Sequence, residues 1–200
     1  MTPDDRPALA DRRGVPDVYR PAEDSALLAA AAAEAVDAGD LVFEVGVGSG
    51  WVAERVAAET GARVVGDDLT PEACAAARDR GVEVVRGNLL DPVADGAVDV
   101  VLCNPPYLPT PPAAEWDDPL EAALSGGPDG RRVVDPFLDD AGRVLAPGGV
   151  VLLLVSTLTD PETVRARAAA NGLAAETVRE ASYPYERLLV LRLTTDAPSK

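Results

Sequence analysis

The chain has 200 residues, of which 47% are hydrophobic, and it carries a formal net charge of −16 at pH 7. This length supports one core, no segment is apolar for long enough to cross a bilayer, and residues 1–20 lack the apolar region of a secretory signal. We therefore expect one cytoplasmic domain over residues 1–200, with residues 1–17 as a flexible arm. The absence of histidine excludes histidine-based catalysis and histidine-ligated metals, and we expect no bound metal.

The two cysteines and the charge narrow the class of protein further. Cys74 and Cys103 do not indicate a disulfide framework and are expected as buried thiols. The chain has one lysine and seventeen arginines, and its basic residues are far outnumbered by acidic ones. The resulting negative charge argues against a free-standing binder of nucleic-acid phosphate. An acidic, lysine-poor surface is also typical of proteins from salt-rich cytoplasms, where it indicates little about partners.

Predicted helices and strands alternate along the first 155 residues. The first helix covers residues 25–38, with Asp24 or Ser25 as its N-cap and Gly39 as its end. Thr70 and Pro71 open another helix, because threonine caps well and proline fits the first turn. The predicted strands cover residues 41–45, 62–66, 82–85, 98–103 and 150–155, and the further helices cover 51–59, 70–81 and 133–145.

The C-terminal part departs from this alternation. Residues 174–181 and 187–193 are β-like and are separated by only five residues, which predicts an antiparallel hairpin. The whole pattern predicts an α/β, Rossmann-like fold: a mostly parallel seven-stranded sheet with an antiparallel C-terminal hairpin and helices on both faces. The loop over residues 108–132, rich in Pro, Gly and Asp, is the one long irregular stretch and is expected to be functional.

A glycine-rich turn follows the first predicted strand. It reads Glu44-Val45-Gly46-Val47-Gly48-Ser49-Gly50, and its glycines permit a tight turn and a close approach of backbone to a ligand. A dinucleotide fingerprint would need glycine at position 51, which is Trp51, so binding of NAD or FAD is disfavoured. The E-x-G-x-G-x-G form resembles the first motif of class I methyltransferases, which implies S-adenosylmethionine as the cofactor and Glu44, Gly46, Gly48, Ser49 and Gly50 as its contacts.

Two later segments carry candidate contacts to a nucleoside. An acidic residue about twenty positions beyond the first glycine accepts both ribose hydroxyls in such folds, and Asp68, followed by Leu69, fits the family pattern better than its competitor Asp67. After the third strand, Asn88 and Leu89 stand where the family usually has an acidic residue near the adenine. Because asparagine both donates and accepts hydrogen bonds, we expect this pair to contact the cofactor.

The motif Asn104-Pro105-Pro106-Tyr107 follows the fourth predicted strand. Each proline restricts the residue before it to extended conformations, which holds Asn104 and Pro105 rigidly. The side-chain carbonyl of Asn104 and the backbone carbonyl of Pro105 can accept the two hydrogens of a planar NH2 group, while Tyr107 covers that group. The motif predicts methyl transfer to an amide or amine nitrogen, with Asn104 close to the cofactor as well.

Four segments resemble one family, the HemK/PrmC-type methyltransferases, and within it the archaeal and eukaryotic branch. They are the glycine motif, the Asn104 motif, Val18-Tyr19-Arg20-Pro21-Ala22-Glu23-Asp24-Ser25, and Leu124-Ser125-Gly126-Gly127-Pro128-Asp129-Gly130-Arg131. The resemblance implies methylation of the glutamine in the GGQ motif of a peptide chain release factor. It also implies that the first segment folds over the cofactor, with Tyr19, Pro21 and Ser25 as contacts.

The resemblance further implies a partner. The archaeal and eukaryotic branch works with a small zinc-binding activator subunit, which we expect to pair along the third strand at residues 82–85 as a heterodimer. An ordinary edge strand that binds no partner would explain those residues equally well.

Three alternatives remain open from the sequence. The same acceptor motif suits an adenine amine of DNA, rRNA or tRNA, although the negative charge and the lack of a basic patch make nucleic acid an unfavourable direct substrate. A protein lysine is a second alternative acceptor. A catalytically silent, cofactor-binding partner subunit is the third, and the intact acceptor motif argues against it.

Overall fold

The computed structural model describes residues 22–111 and 124–195. Within these ranges, the structure has seven strands and five α-helices. The strands are β1 (Leu41–Val45), β2 (Arg63–Asp68), β3 (Glu83–Arg86), β4 (Val98–Cys103), β5 (Leu145–Ser156), β6 (Leu173–Ser182) and β7 (Arg187–Thr195). The helices are α1 (Glu23–Ala35), α2 (Trp51–Thr60), α3 (Pro71–Asp79), α4 (Val134–Val144) and α5 (Pro161–Ala170).

All seven strands form one sheet in the order β3-β2-β1-β4-β5-β7-β6. The first five are parallel to one another, and β7 runs antiparallel to both β5 and β6. The predicted parallel sheet and C-terminal hairpin are therefore confirmed. Because β1 lies between β2 and β4, the order of the strands reverses at β1, and open α/β sheets bind ligands at such a reversal.

The sheet has a hydrophobic core on each face, because successive residues of a strand point to opposite faces. Phe43 and Val45 of β1 belong to one core, which α4 and α5 cover, while Val42 belongs to the other, which α1 and α2 cover. Strands that are buried on both faces need nearly continuous apolar runs, and β1, β4 and β5 have them, with Glu44 and Asp99 as the polar exceptions in β1 and β4. Cys74 and Cys103 are buried free thiols, as predicted.

The start of α1 differs from the prediction. Its N-cap is Ala22, which makes no side-chain capping bond, whereas Asp24 and Ser25 lie inside the first turn. The prediction of Asp24 or Ser25 as the cap was wrong because both side chains are buried and engage other groups. The helix also ends at Ala35, three residues early, because Val36 turns to an extended conformation and packs into the core.

Other elements follow the sequence more closely. Thr70 caps α3 as predicted, since its side chain accepts a hydrogen bond from the Ala73 amide. Helix α5 was not predicted, although Asp160 accepts a hydrogen bond from the Thr163 amide and Pro161 opens the first turn. Across the described part of the chain, no helix has both the length and the apolar run that a bilayer crossing requires. Tyr19, Pro21, the arm at residues 1–17 and residues 112–123 of the long loop lie outside the described residues.

Candidate active site

A cavity of about 450 Å³ opens at the carboxyl ends of β1, β2 and β4. It lies where the strand order reverses, and segments that are far apart in the sequence meet there. Folding therefore brings together the motifs that the sequence analysis had identified one by one. The predicted site residues that line the cavity are Ser25, Glu44, Gly46, Gly48, Ser49, Asp68, Leu69, Asn88, Leu89, Asn104, Pro105 and Pro106.

The glycine motif forms the turn between β1 and α2. Gly46 and Gly48 have φ angles of +68° and +51°, a left-handed conformation that glycine adopts readily. Gly50 differs from them, since it does not line the cavity and a Cβ atom there would lie 2.8 Å from the Ala77 Cα atom. The structure thus places Gly46 and Gly48 at the cavity, and it places Gly50 behind them as a glycine that α3 packs against.

Two neighbouring aspartates at the end of β2 hold this turn. The Asp68 carboxylate accepts hydrogen bonds from the Gly48 amide at 3.1 Å and from the Thr70 amide at 2.9 Å. The Asp67 carboxylate accepts one from the Gly46 amide at 3.3 Å, and its side chain is fully buried. Both predicted competitors line the cavity. Asp68 is the more accessible of the two, which suits a contact to ribose hydroxyls.

The cavity floor holds two buried acids. Burial raises the pKa of Glu44 to about 8, and the nearby Asp67 and Asp68 carboxylates add to the rise. Burial likewise raises the pKa of Asp67 to about 7 against the lowering effect of the Gly46 amide. Among the described residues, Glu44 Oε2 has no hydrogen-bond partner although it is buried. The floor therefore carries a carboxyl oxygen that is free to meet a polar group of a ligand.

Asn88 and Leu89 form the wall that follows β3. Leu89 has a φ angle of +52°, which is uncommon for a residue with a branched side chain, and it packs partly against the core beneath the cavity. Asn88 is exposed at the rim. Both residues line the cavity, and their predicted contact with the cofactor stays a prediction.

The acceptor motif projects from the end of β4. Asn104 Nδ2 donates a hydrogen bond to Asp24 Oδ2 over 3.2 Å, whereas Asn104 Oδ1 is buried and has no donor among the described residues. Pro105 is buried, and Pro105 and Pro106 both line the cavity. Tyr107 does not line it and packs partly against the core on the α1 face. The motif therefore presents a fixed side-chain acceptor beside the cavity.

A second loop supports this motif from outside. Leu108 pairs with Ser125 in a short parallel bridge, and the Gly126 amide donates to the Leu108 carbonyl oxygen over 2.9 Å. A Cβ atom on Gly130 would lie 2.6 Å from the Tyr107 carbonyl oxygen, so the loop approaches the motif as closely as glycine allows. Residues 124–131, which the resemblance had singled out, thus hold the acceptor motif in place.

The sequence missed several residues of the site. Asp24 had been interpreted as a helix cap, yet it contacts Asn104, and Arg132, Val133 and Pro136 at the start of α4 line the cavity. Trp51, used only to exclude a dinucleotide fingerprint, also lines it. In the sequence, the long loop directly follows the acceptor motif, and this was the one signal that residues around α4 belong to the site. It did not specify which of these residues reach the cavity.

The strand order, the glycine turn and the acceptor motif together define a class I methyltransferase. A family model described as a methyltransferase domain matches residues 43–106. A solved structure, the E. cuniculi Mtq2-Trm112 complex responsible for methylation of the eRF1 translation termination factor, superposes with a TM-score of 0.74 at 29% identity. That match covers 90% of this chain and 100% of the other.

Two relatives identify the family. The mouse protein Methyltransferase HEMK2 is 36% identical, over 89% of this chain and 90% of its own length. A Methanocaldococcus jannaschii protein, named as a protein N5-glutamine methyltransferase, is 34% identical over 88% of this chain and 91% of its own length. The chain belongs to the HemK-type family of protein methyltransferases, as its sequence motifs predicted.

Proposed function

We propose that this chain transfers a methyl group from S-adenosylmethionine to the side-chain amide nitrogen of the glutamine in the GGQ motif of a peptide chain release factor. The observation that carries the proposal is the buried Oδ1 atom of Asn104 beside the cavity, which has no hydrogen-bond partner among the described residues. The names of the relatives, which refer to N5-glutamine and to eRF1, support a glutamine of a translation factor as the acceptor. Such an enzyme works in the cytoplasm.

The residues around the cavity fit this cofactor. A volume of about 450 Å³ accommodates a nucleoside with an amino-acid tail, and the Gly46–Gly48 turn leaves room for its close approach. Asp68 offers carboxylate oxygens for ribose hydroxyls, and Glu44 Oε2 offers a buried carboxyl oxygen for a polar group of the tail. Tyr19 and Pro21 complete the cofactor side in this proposal. When bound, the cofactor supplies an electrophilic methyl group on a sulfonium.

The acceptor side acts by orientation. An amide nitrogen is a poor nucleophile because its lone pair is delocalised, so the enzyme must hold the NH2 group with that lone pair facing the methyl group. Asn104 Oδ1 and the Pro105 carbonyl oxygen accept its two hydrogens, and these bonds strengthen as positive charge grows on the nitrogen. Transfer leaves an N-methyl amide and releases one proton, and no strong base is required.

The decisive experiment supplies methyl-labelled S-adenosylmethionine with three acceptors: an archaeal-type release factor, the same factor with its GGQ glutamine replaced by alanine, and bulk RNA and DNA. We expect label on the first acceptor only. Label that persists on the alanine factor, including at a lysine, or that appears on nucleic acid, would overturn the proposed acceptor. Each reaction is run with and without an activator subunit.

We also propose that a small zinc-binding activator subunit forms a heterodimer with this chain along β3. Strand β3 is one edge of the described sheet, and its apolar residue Val85 is 40% exposed there. An exposed edge with apolar side chains is a natural site for strand addition by a partner. The Mtq2 relative is itself part of a complex with Trm112, which supports a partner of that kind.

A matched pair of variants tests this edge. Val85 on β3 and Val178 on β6, the opposite edge strand, are both 40% exposed. We expect Val85→Arg to abolish co-purification with an archaeal Trm112-type subunit, because the charge disrupts an apolar contact, and Val178→Arg to leave it intact. If both variants retain the subunit equally, the activator does not bind along β3.

A further inference from the structure

Asp24 lies in the first turn of α1, far in sequence from the acceptor motif, and only 5% of it is exposed. Its two carboxylate oxygens have different partners. Oδ1 accepts hydrogen bonds from the Ser25 amide at 2.6 Å and from the Ser25 hydroxyl at 3.2 Å. Oδ2 accepts one from Asn104 Nδ2 at 3.2 Å. The carboxylate is thus held by its neighbour on the helix while it holds the side chain of Asn104.

The contact determines which way the Asn104 amide faces. An asparagine side chain has a donor end and an acceptor end of almost the same shape, so rotation by half a turn exchanges them. A carboxylate only accepts hydrogen bonds, and the NH2 end of Asn104 must therefore face Asp24. The carbonyl end then points away from Asp24, and this is the Oδ1 atom that no described residue satisfies.

We propose that Asp24 is a positioning residue that fixes the Asn104 amide with its carbonyl oxygen presented to the acceptor NH2 group. The inference rests on the proposed function, because that function makes Oδ1 the atom that meets the substrate. Asp24 acts through Asn104 and does not touch the reacting atoms. Without it, the amide takes both orientations, and in one of them two NH2 groups face each other.

The substitutions Asp24→Leu and Asp24→Asn separate this role from a general effect on the fold. Leucine removes every acceptor, and we expect kcat to fall about tenfold or more while the Kd for S-adenosylmethionine stays within about threefold. Asparagine can still accept from Asn104 Nδ2 with its own carbonyl oxygen, and we expect it to restore kcat to within about fivefold of the wild type. Glu72→Leu is the matched control, since it removes an exposed carboxylate from the first turn of α3.

A second measurement needs no substrate. The side-chain amide of Asn104 is assigned in ¹⁵N–¹H spectra by its absence in Asn104→Ala. In the wild type we expect its two proton shifts to be widely separated, because one proton bonds to a carboxylate, and in Asp24→Leu we expect the separation to collapse. If the leucine variant does not fold, Asp24→Ser, which is too short to reach Asn104, replaces it.

The two arms distinguish the possible failures. An unchanged separation in Asp24→Leu overturns the positioning role, and so does an asparagine variant that is no more active than the leucine variant. A loss of cofactor binding in parallel with kcat would also overturn it, because Asp24 would then support the fold or the cofactor. A wild-type enzyme that leaves release factor unmethylated refutes the proposed function alone, and the spectra still decide the contact.

Discussion

Asp68 ends β2 and Asn104 follows β4, the two strands on either side of β1, and the proposed function gives them separate tasks. Asn104 addresses the acceptor, so Asn104→Ala should lower kcat by at least a hundredfold and change the Kd of the cofactor only a few-fold. Asp68→Ala should instead weaken cofactor binding first, by about tenfold or more, because it removes the acceptors for the ribose. Calorimetric titration of S-adenosylmethionine, with methyl-transfer kinetics, measures both. Parallel losses of binding and turnover in the Asn104 variant would contradict its assignment.

The buried acids on the cavity floor predict how stability depends on pH. The pKa of Glu44 is 4.5 in an exposed setting and about 8 in the folded protein, so between those values the folded state holds a proton that the unfolded chain has released. Stability therefore falls as pH rises through this window, by roughly 1.4 kcal/mol per pH unit, or about 4 °C in Tm for a chain of this size. Above about pH 8 both states are ionised, and the penalty has reached its full extent.

Glu44→Gln isolates this contribution, because it keeps the shape and removes the titration. We expect the Tm of the variant, relative to that of the ligand-free wild type, to increase steadily from pH 5 to pH 8 in scanning calorimetry. Glu72→Gln removes an exposed carboxylate, and its Tm should change with pH in the same way as that of the wild type. A constant difference between Glu44→Gln and the wild type would mean that Glu44 is already ionised in the folded protein.

At the scale of elements, the site depends on the contact between two loops, those that follow β4 and precede α4. Gly130 has a φ angle of +77°, and an added Cβ atom would lie 2.6 Å from both the Tyr107 carbonyl oxygen and Thr159 Cγ2. Gly130→Ala must therefore push the acceptor motif away. We expect a loss of roughly 2–4 kcal/mol in unfolding free energy and a clear fall in kcat.

Gly148 provides the matched control for this prediction. Its φ angle is +86°, yet an added Cβ atom would meet nothing within 4 Å. Gly148→Ala should cost only the backbone strain, roughly 1–2 kcal/mol, and leave kcat unchanged. Urea unfolding and transfer kinetics on the pair separate steric contact from strain. Equal effects in the two variants would mean that the loop contact does not matter for turnover.

Elements with strong periodic patterns were predictable, and contacts between distant segments were not. The buried runs of β1, β4 and β5 and the glycines after β1 predicted the sheet, because parallel strands buried on both faces need continuous apolar residues. Helix α5 was missed because only Val164 and Ala168 of it are buried, which leaves little periodicity, although Asp160-Pro161 was a readable start signal. The bond from Asn104 to Asp24 joins residues 80 positions apart, and no local pattern encodes it.

For the whole molecule, the dominant property is the excess of acidic groups. There are 34 aspartates and glutamates against 18 basic residues, so the folded chain carries a strong self-repulsion at neutral pH. We expect the Tm to rise as KCl increases from 0.05 to 1 M, because the Debye length shrinks to about 3 Å and screens that repulsion. At pH 5, closer to the pI of about 4.3, the rise should be shallower. A Tm that is independent of KCl at pH 7 would show that the charges are compensated locally.

The cavity at the carboxyl ends of the parallel strands is built from segments spread along the described chain, and these include residues as distant as Ser25 and Pro136. No single hairpin or helix contains enough of them to hold a ligand. Cofactor binding is therefore thermodynamically linked to the integrity of the sheet, and a bound molecule stabilises the native state by mass action. Hydrogen exchange should slow throughout β1, β2 and β4 when the cofactor is added, and the protection should reach amides that lie on the far side of the sheet from the cavity.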